Sequence, residues 1–289
     1  MPGFNVIILA PVFTEKSAGI VMLYRLFEAM KRADPATSLV NYQGIGNQFL
    51  ITSTNGDIEP ERLSVLFPEA IFIVPEVLCG SRLKNLRIAR YYLNSLGVIA
   101  PAQADVEREF AITFNPKFCD HAKFQLHDYL GKVPIPENFA ATQTNSRPIN
   151  LTYFGKNTNL YRETFPLPTS LLLTREWPEL RDHYIKLLEL SEYLFTFDAT
   201  SSTSLDAQAA GVKVVILDFS PDTESTYAKA YPTQPYLNQT NYRSEKAIDE
   251  YISRCDNMFR SIRSQVSQFD GKVIELHELL IGFFAHRDQ

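Results

Sequence analysis

One stretch constrains the fold of this chain more than any other: residues 194–218, LFTFDATSSTSLDAQAAGVKVVILD. It begins with an aromatic, β-prone run, continues through hydroxyl residues into a short Ala- and Leu-rich segment that stops at Gly211, and ends in an apolar run. That order predicts a strand, a short helix and a second, parallel strand. In such a unit the first strand ends at the amino end of the helix, where unpaired N–H groups and the helix dipole favour an anion. We therefore expect a ligand site directly after Phe197.

Polar side chains fill this expected site. An ordinary helix cap explains one hydroxyl, and an acid that complements the helix dipole explains Asp206. Five hydroxyls in succession exceed what capping requires, and open α/β sheets bind ligands at the carboxyl ends of their strands, so we favour ligand binding. The residues concerned are Asp198, Thr200, Ser201, Ser202, Thr203, Ser204 and Asp206.

Length and composition limit the class of protein. The 289 residues suffice for two medium domains, and 45% hydrophobic and 21% charged residues are ordinary for a globular protein. The net charge of −5 and the lack of a long basic run argue against a nucleic-acid partner. Three separated cysteines without CxxC spacing or a histidine cluster indicate reduced thiols and no metal site. Because the sequence lacks a signal peptide and any apolar span of about 20 residues, we expect a cytoplasmic protein, and a peripheral membrane contact stays open.

The beginning of the chain has a similar order of elements. Residues 5–11 read as a buried strand, and 19–31 as a helix with apolar residues at intervals of three and four. In the loop between them, Ser17 and Gly19 suit either close approach of a ligand or a plain tight turn. Glu15, in the same loop, is a candidate general base.

Three further segments have clear periodicity. Residues 70–74 predict a strand that ends before Glu76, whose carboxylate either acts as a base or caps the helix that follows. The basic segment 81–96 predicts a helix. Residues 244–284 have helical periodicity, with a break expected at 270–271.

A Pro-rich, polar segment at 134–148 is the best linker in the chain, and a short strand is expected just before it, at 132–135. This segment divides the chain into two predicted domains, 1–145 and 146–289. Each domain contains strands and helices in the order typical of α/β units.

Two cations follow strands of the predicted second domain. The strand at 149–154 ends in Gly155 and Lys156, and the strand at 171–173 leads to Arg175. An ammonium and a guanidinium at strand ends can hold a phosphate, although the full GxxxxGK[ST] loop is absent and Arg175 could equally sit in a buried ion pair. We expect both cations to converge with the hydroxyl run on one pocket.

Two Rossmann-like halves, a Pro-rich linker and a helical tail resemble the GT-B glycosyltransferases. Local motifs are similar to those of bacterial glycosyltransferases from surface-antigen polysaccharide pathways: RYYLNSLG at 90–97, the Gly155-Lys156 turn, TREWP at 174–178, and FDATSS at 197–202 followed by Asp206 and AAGVKVV. The resemblance implies an α/β protein whose acceptor domain (1–145) and donor-nucleotide domain (146–289) face a cleft. It also implies a nucleotide-sugar donor and a glycan or lipid-linked acceptor.

The resemblance assigns roles to the candidate residues. Lys156, Arg175 and the hydroxyls of 201–204 would neutralise the departing nucleotide phosphate, and Glu76 or Glu15 would activate the acceptor hydroxyl. No paired-acid metal motif stands out, so we expect neither a metal nor a cofactor besides the nucleotide-sugar substrate.

Retaining GT-B enzymes carry Glu-x7-Glu where this chain has Asp198 and Asp206. Both acids are therefore one carbon shorter than in those enzymes, which leaves the stereochemical outcome open. The sequence also leaves open the sugar, the acceptor and the oligomeric state. Two alternatives also stay open: a nucleotide-sugar epimerase of the same fold, and a two-lobed binding protein without turnover.

Overall fold

The computed structural model describes residues 4–53, 56–101, 103–143, 147–155, 169–174, 177–198, 201–217, 235–238 and 240–287. The chain forms two compact units, one comprising Met1–Asp128 with Gln265–Gln289 and the other Tyr129–Ser264. Each unit contains one largely parallel sheet. All strands of the first sheet lie before the predicted domain boundary at 145/146, and all strands of the second lie after it. The assignment of the two parts as acceptor and donor domains stays a prediction.

The first unit is built on a seven-stranded sheet. Its strands are β1 (Asn5–Pro11), β2 (Ser38–Gln43), β3 (Leu50–Ile51), β4 (Ala70–Pro75), β5 (Arg87–Tyr92), β6 (Phe110–Thr113) and β7 (Phe124–Gln125). They lie in the order β3-β2-β1-β4-β5-β6-β7, and all neighbours are parallel except β2 and β3. The chain runs outward from β1 to β2 and then returns to the other side of β1 with β4. The direction of strand order therefore reverses between β1 and β4.

Helix α1 (Ala18–Ala33) connects β1 and β2, and the short α2 (Leu63–Leu66) precedes β4. Ser17 caps α1, since its hydroxyl accepts the N–H of Ile20. The helix buries apolar side chains at intervals of three and four, Met22, Leu23, Leu26, Ala29 and Met30. Strands β1 and β4 are buried on both faces, which is why they read as continuous apolar runs.

The predicted helix over 81–96 is wrong, because this segment contains β5, which pairs with β4 and β6. Arg90, one of the basic residues of this segment, is fully buried. Its Nη2 lies 2.7 Å from Glu109 Oε1, and its Nη1 donates to the Leu78 carbonyl at 2.6 Å. Because the partners that neutralise Arg90 lie elsewhere in the chain, local periodicity could not show that it is buried.

The second unit is built on a five-stranded sheet in the order β12-β11-β10-β8-β9, with every neighbouring pair parallel. Its strands are β8 (Ile149–Tyr153), β9 (Leu171–Leu173), β10 (Ser191–Thr196), β11 (Lys213–Ile216) and β12 (Leu237–Asn238). Helix α3 (Arg181–Glu189) leads into β10, and α4 (Ser202–Ala209) connects β10 to β11. The predicted strand–helix–strand unit is confirmed. If the five strands are numbered along the chain, their order across the sheet is 2-1-3-4-5, an arrangement found in doubly wound α/β sheets. The direction of strand order reverses between β8 and β10.

Helix α5 (Glu245–Ala285) is continuous over 41 residues, so the break predicted at 270–271 is wrong. A helical glycine costs only about 1 kcal/mol relative to alanine, and packing offsets this cost. The first part of the helix buries Tyr251, Cys255, Met258 and Phe259, and the last part buries Val273, Leu276, Leu280 and Phe284. Within the described ranges, no helix combines the length and apolar character needed to cross a membrane.

Candidate functional site

The ends of three strands of the second sheet meet at one edge. Tyr153, the last residue of β8, pairs in register with Leu173 at the end of β9 and with Thr196 at the end of β10. The residues that follow these strands therefore leave the sheet side by side. This edge contains the β8/β10 reversal, the position at which open α/β sheets bind ligands.

Gly155 and Asp198 are in direct contact across this reversal. Gly155 has φ +69°, and a Cβ placed on it would lie 2.6 Å from Asp198 Oδ2 and 2.8 Å from Asp198 Cγ. A glycine is therefore required both by the backbone conformation and by the space that the carboxylate occupies. The Asp198 main chain is positioned by its N–H bond to Thr196 Oγ1, 2.9 Å long.

The hydroxyl run begins α4, and part of it serves the cap. Ser201 Oγ accepts the Ser204 N–H at 3.2 Å and donates to the Asp198 carbonyl at 3.0 Å. Ser204 is buried and donates to the same carbonyl at 3.1 Å. Capping, the simpler of the two interpretations, thus accounts for Ser201 and Ser204. Ser202 is exposed and Thr203 is partly buried, so these two hydroxyls lie nearer the surface of the edge.

Asp206 is buried in the second turn of α4, with only 2% of its surface exposed. Its Oδ1 accepts the N–H groups of Lys132 and Val133 at 2.5 and 3.2 Å, and its Oδ2 accepts the Tyr184 hydroxyl at 3.0 Å. Burial raises the pKa of Asp206 to about 6, against the lowering effect of these hydrogen bonds. The structure therefore makes Asp206 the anchor of the segment that precedes the linker. It does not bring the carboxylate to the exposed edge, and a donor contact for Asp206 stays a prediction.

The anchored segment explains another difference from the sequence-based expectation. Residues 132–135 form no strand, because the N–H groups of Lys132 and Val133 bond to the Asp206 carboxylate instead of a neighbouring strand. The turn is closed by Tyr129, whose hydroxyl donates to the Val133 carbonyl.

Three candidates, Lys156, Arg175 and Thr200, lie outside the described residues. Their chain neighbours Gly155 and Thr174 are described, and these follow β8 and β9 at the same edge as Asp198. The expected convergence of Lys156 and Arg175 with the hydroxyls on one pocket stays a prediction.

The sequence analysis missed an aromatic pair at this edge. Phe154 and Phe197 stack with ring centroids 5.7 Å apart and an interplanar angle of 15°, and both rings are partly exposed. Each phenylalanine directly follows a strand, β8 or β10. Two aromatic residues at equivalent positions after neighbouring strands were the signal that could have revealed the pair.

In the first unit, the remaining candidates flank the β1/β4 reversal. Glu76 follows β4 and is 3% exposed, and its Oε2 accepts the Leu93 N–H at 3.1 Å, directly after β5. Leu93 begins no helix, so this bond is not the expected helix cap, and a role of Glu76 as a base stays a prediction. Burial, with a smaller contribution from the Glu76 charge, raises the pKa of Tyr42. Glu15 lies exposed in the loop between β1 and α1.

Ser17 and Gly19 follow Glu15 at the start of α1. Ser17 is the helix cap. A Cβ on Gly19 would meet Leu93 Cδ1 at 3.6 Å, an ordinary contact, so neither space nor backbone conformation requires glycine there. These observations match the plain-turn alternative, and a ligand contact for Ser17 and Gly19 stays a prediction.

Within the part of the chain that the structure describes, no group of three or more His, Cys, Asp or Glu side chains could hold a metal ion.

Comparison with known proteins finds similarity to solved structures. No protein-family model matches the chain, and no curated protein matches it. Among solved structures, the chain is similar to the spinosyn forosaminyltransferase SpnP, with 12% sequence identity and a TM-score of 0.44 over 96% of this chain and 100% of that chain.

Proposed function

We propose that this protein is a glycosyltransferase that moves a sugar from a nucleotide-sugar donor to a glycan or lipid-linked acceptor in surface polysaccharide synthesis. One observation carries the proposal: the Gly155 backbone, the Asp198 carboxylate and the amino end of α4 meet at the β8/β10 reversal. Doubly wound sheets hold nucleotides at this position. Three of the four stretches that resemble surface-antigen glycosyltransferases, those beginning at Gly155, Thr174 and Phe197, follow the strands β8, β9 and β10 of this sheet.

The donor would bind at this edge of the second unit. The first-turn N–H groups of α4 and the exposed Ser202 hydroxyl favour the nucleotide phosphates. Asp198 carries a negative charge and would repel a phosphate, so we assign it to hydroxyl groups of the ribose or the sugar. Lys156 and Arg175 would complete the neutralisation of the leaving nucleotide.

The acceptor would be activated from the first unit. Of the two candidate bases, Glu15 is exposed, whereas Glu76 is buried and bonded to the Leu93 main chain. A general base must reach the hydroxyl proton that it removes. We therefore propose Glu15 as the base and Glu76 as the residue that holds the strand ends around it.

The proposal is tested with a panel of nucleotide sugars, first by calorimetric binding and then by product analysis with and without acceptor glycans. We expect one donor to bind and to lose its sugar to an acceptor, and Asp198→Ala to weaken donor binding about ten-fold or more. Conversion of the donor to an isomer without acceptor would instead indicate an epimerase. Donor binding without any turnover would indicate a binding protein.

A further inference from the structure

The segment 129–133 is held against helices α3 and α4 of the second unit. A Cβ on Gly131 would overlap the Tyr129 hydroxyl, which is bonded to the Val133 carbonyl. The segment therefore forms a closed turn of fixed shape, and it presents Lys132 at its centre.

Both main-chain groups of Lys132 are bonded to side chains of these two helices. Its N–H donates to Asp206 in α4, and its carbonyl accepts from Arg181 Nη2 in α3 at 2.9 Å. The Cα of Lys132 is thus positioned between two helices whose amino ends face the carboxyl edge of the sheet. The contacts that hold it use only main-chain atoms of Lys132.

The Lys132 side chain is directed by an aromatic ring. Its Nζ lies 5.3 Å from the centroid of the Tyr184 ring. The Tyr184 hydroxyl donates to Asp206 Oδ2 at 3.0 Å and also interacts with the side chain of Thr203, which lies in the first turn of α4. Tyr184 therefore links the ammonium to the start of α4, where the hydroxyl run begins.

Such an ammonium remains available to a ligand. Lys132 is partly exposed, and a cation–π contact at a partly exposed position is worth only about 0.5–1 kcal/mol. Among the described residues, Lys132 forms no direct salt bridge; its charge acts on the buried Asp206 carboxylate, which already accepts two N–H groups and the Tyr184 hydroxyl. A phosphate at the amino end of α4 would provide a stronger partner.

We propose that Lys132 is a phosphate-binding residue of the second unit, whose ammonium contacts the phosphate groups of a nucleotide bound at the amino end of α4. The inference rests on the proposed function and adds a cation that no sequence motif indicated. Lys132 lies 74 residues before Asp206 in the chain, so only the folded structure brings it to α4.

The experiment begins with calorimetric titration of the wild-type protein with UDP, GDP, dTDP and CMP, to find a nucleotide that binds. Lys132→Gln is then titrated with that nucleotide at several salt concentrations. Glutamine keeps the main-chain bonds to Asp206 and Arg181, so the fold should be retained, which circular dichroism checks. Lys186→Gln is the matched control, because Lys186 is an exposed lysine in the last turn of α3.

We expect Lys132→Gln to weaken nucleotide affinity about ten-fold or more and to reduce its salt dependence, since one charge-assisted contact is lost. Lys186→Gln should bind as the wild type does. A change of less than two-fold in Lys132→Gln, or a loss with unchanged salt dependence, would overturn the role of Lys132 and leave the proposed function standing. If none of the nucleotides binds the wild type, the proposed function itself fails.

Discussion

Gly155→Ala offers the sharpest test of the candidate site. The new Cβ would lie 2.6 Å from Asp198 Oδ2, about 1 Å closer than an ordinary van der Waals contact. Asp198 or the β8 end must therefore move. Overlap of this kind costs about 1–3 kcal/mol, and alanine at φ +69° adds about 1–2 kcal/mol.

Gly97→Ala separates these two contributions. Gly97 also has positive φ, +83°, but a Cβ there would meet nothing within 4 Å. It should therefore lose only the backbone part, about 1–2 kcal/mol. We expect urea unfolding to show Gly155→Ala as the less stable variant by about 1–3 kcal/mol.

The functional consequence is measured with the nucleotide sugar that binds the wild type. Displacing Asp198 should weaken binding about ten-fold or more in Gly155→Ala and leave it unchanged in Gly97→Ala. Adding Asp198→Gly to Gly155→Ala should recover part of the lost stability, because it removes the overlapping atoms. If Gly155→Ala and Gly97→Ala match in both stability and affinity, the contact across the β8/β10 reversal does not have the importance that we give it.

Three further predictions concern the surroundings of the site. Asp206 has a folded-state pKa of about 6, above the usual value of about 3.9, so the folded protein favours the neutral carboxyl group. The stabilisation that this gives is complete below about pH 4 and is lost as pH rises through about 6. Urea unfolding at pH 4.5 and 7 should show most of this loss, about 2 kcal/mol, in the wild type and not in Asp206→Asn; an equal pH dependence in both would contradict it. Arg90→Ala should lower the free energy of unfolding by about 3–5 kcal/mol because it leaves the Glu109 carboxylate buried without its partner, whereas the exposed Arg108→Ala should change it little. Ser201→Ala should lose about 1 kcal/mol as a helix cap and Ser202→Ala almost nothing, as thermal unfolding would show; equal losses would mean that the cap is misassigned.

The sequence alone determined the elements whose signal is local. Strand β1 and the unit β10–α4–β11 were predictable because apolar runs, a hydroxyl cap and a terminal glycine act on neighbouring residues. The position of the candidate ligand site after Phe197 followed from the same reasoning. The break predicted at 270–271 did not form, because Gly271 weakens α5 by less than the packing of the helix stabilises it.

Only the tertiary structure decided which distant residues meet. Segment 87–92 is a strand because its neighbours β4 and β6 bury it and Glu109 neutralises Arg90, and neither condition is written in its periodicity. Likewise, Asp206 reads as a first-turn acid but holds the turn around Lys132. Strand order determines where each sheet reverses, and it arises from long-range pairing that a local pattern does not encode. Whether a polar side chain holds the fold or stays able to bind a ligand therefore depends on its burial and on the residues that it contacts in the tertiary structure.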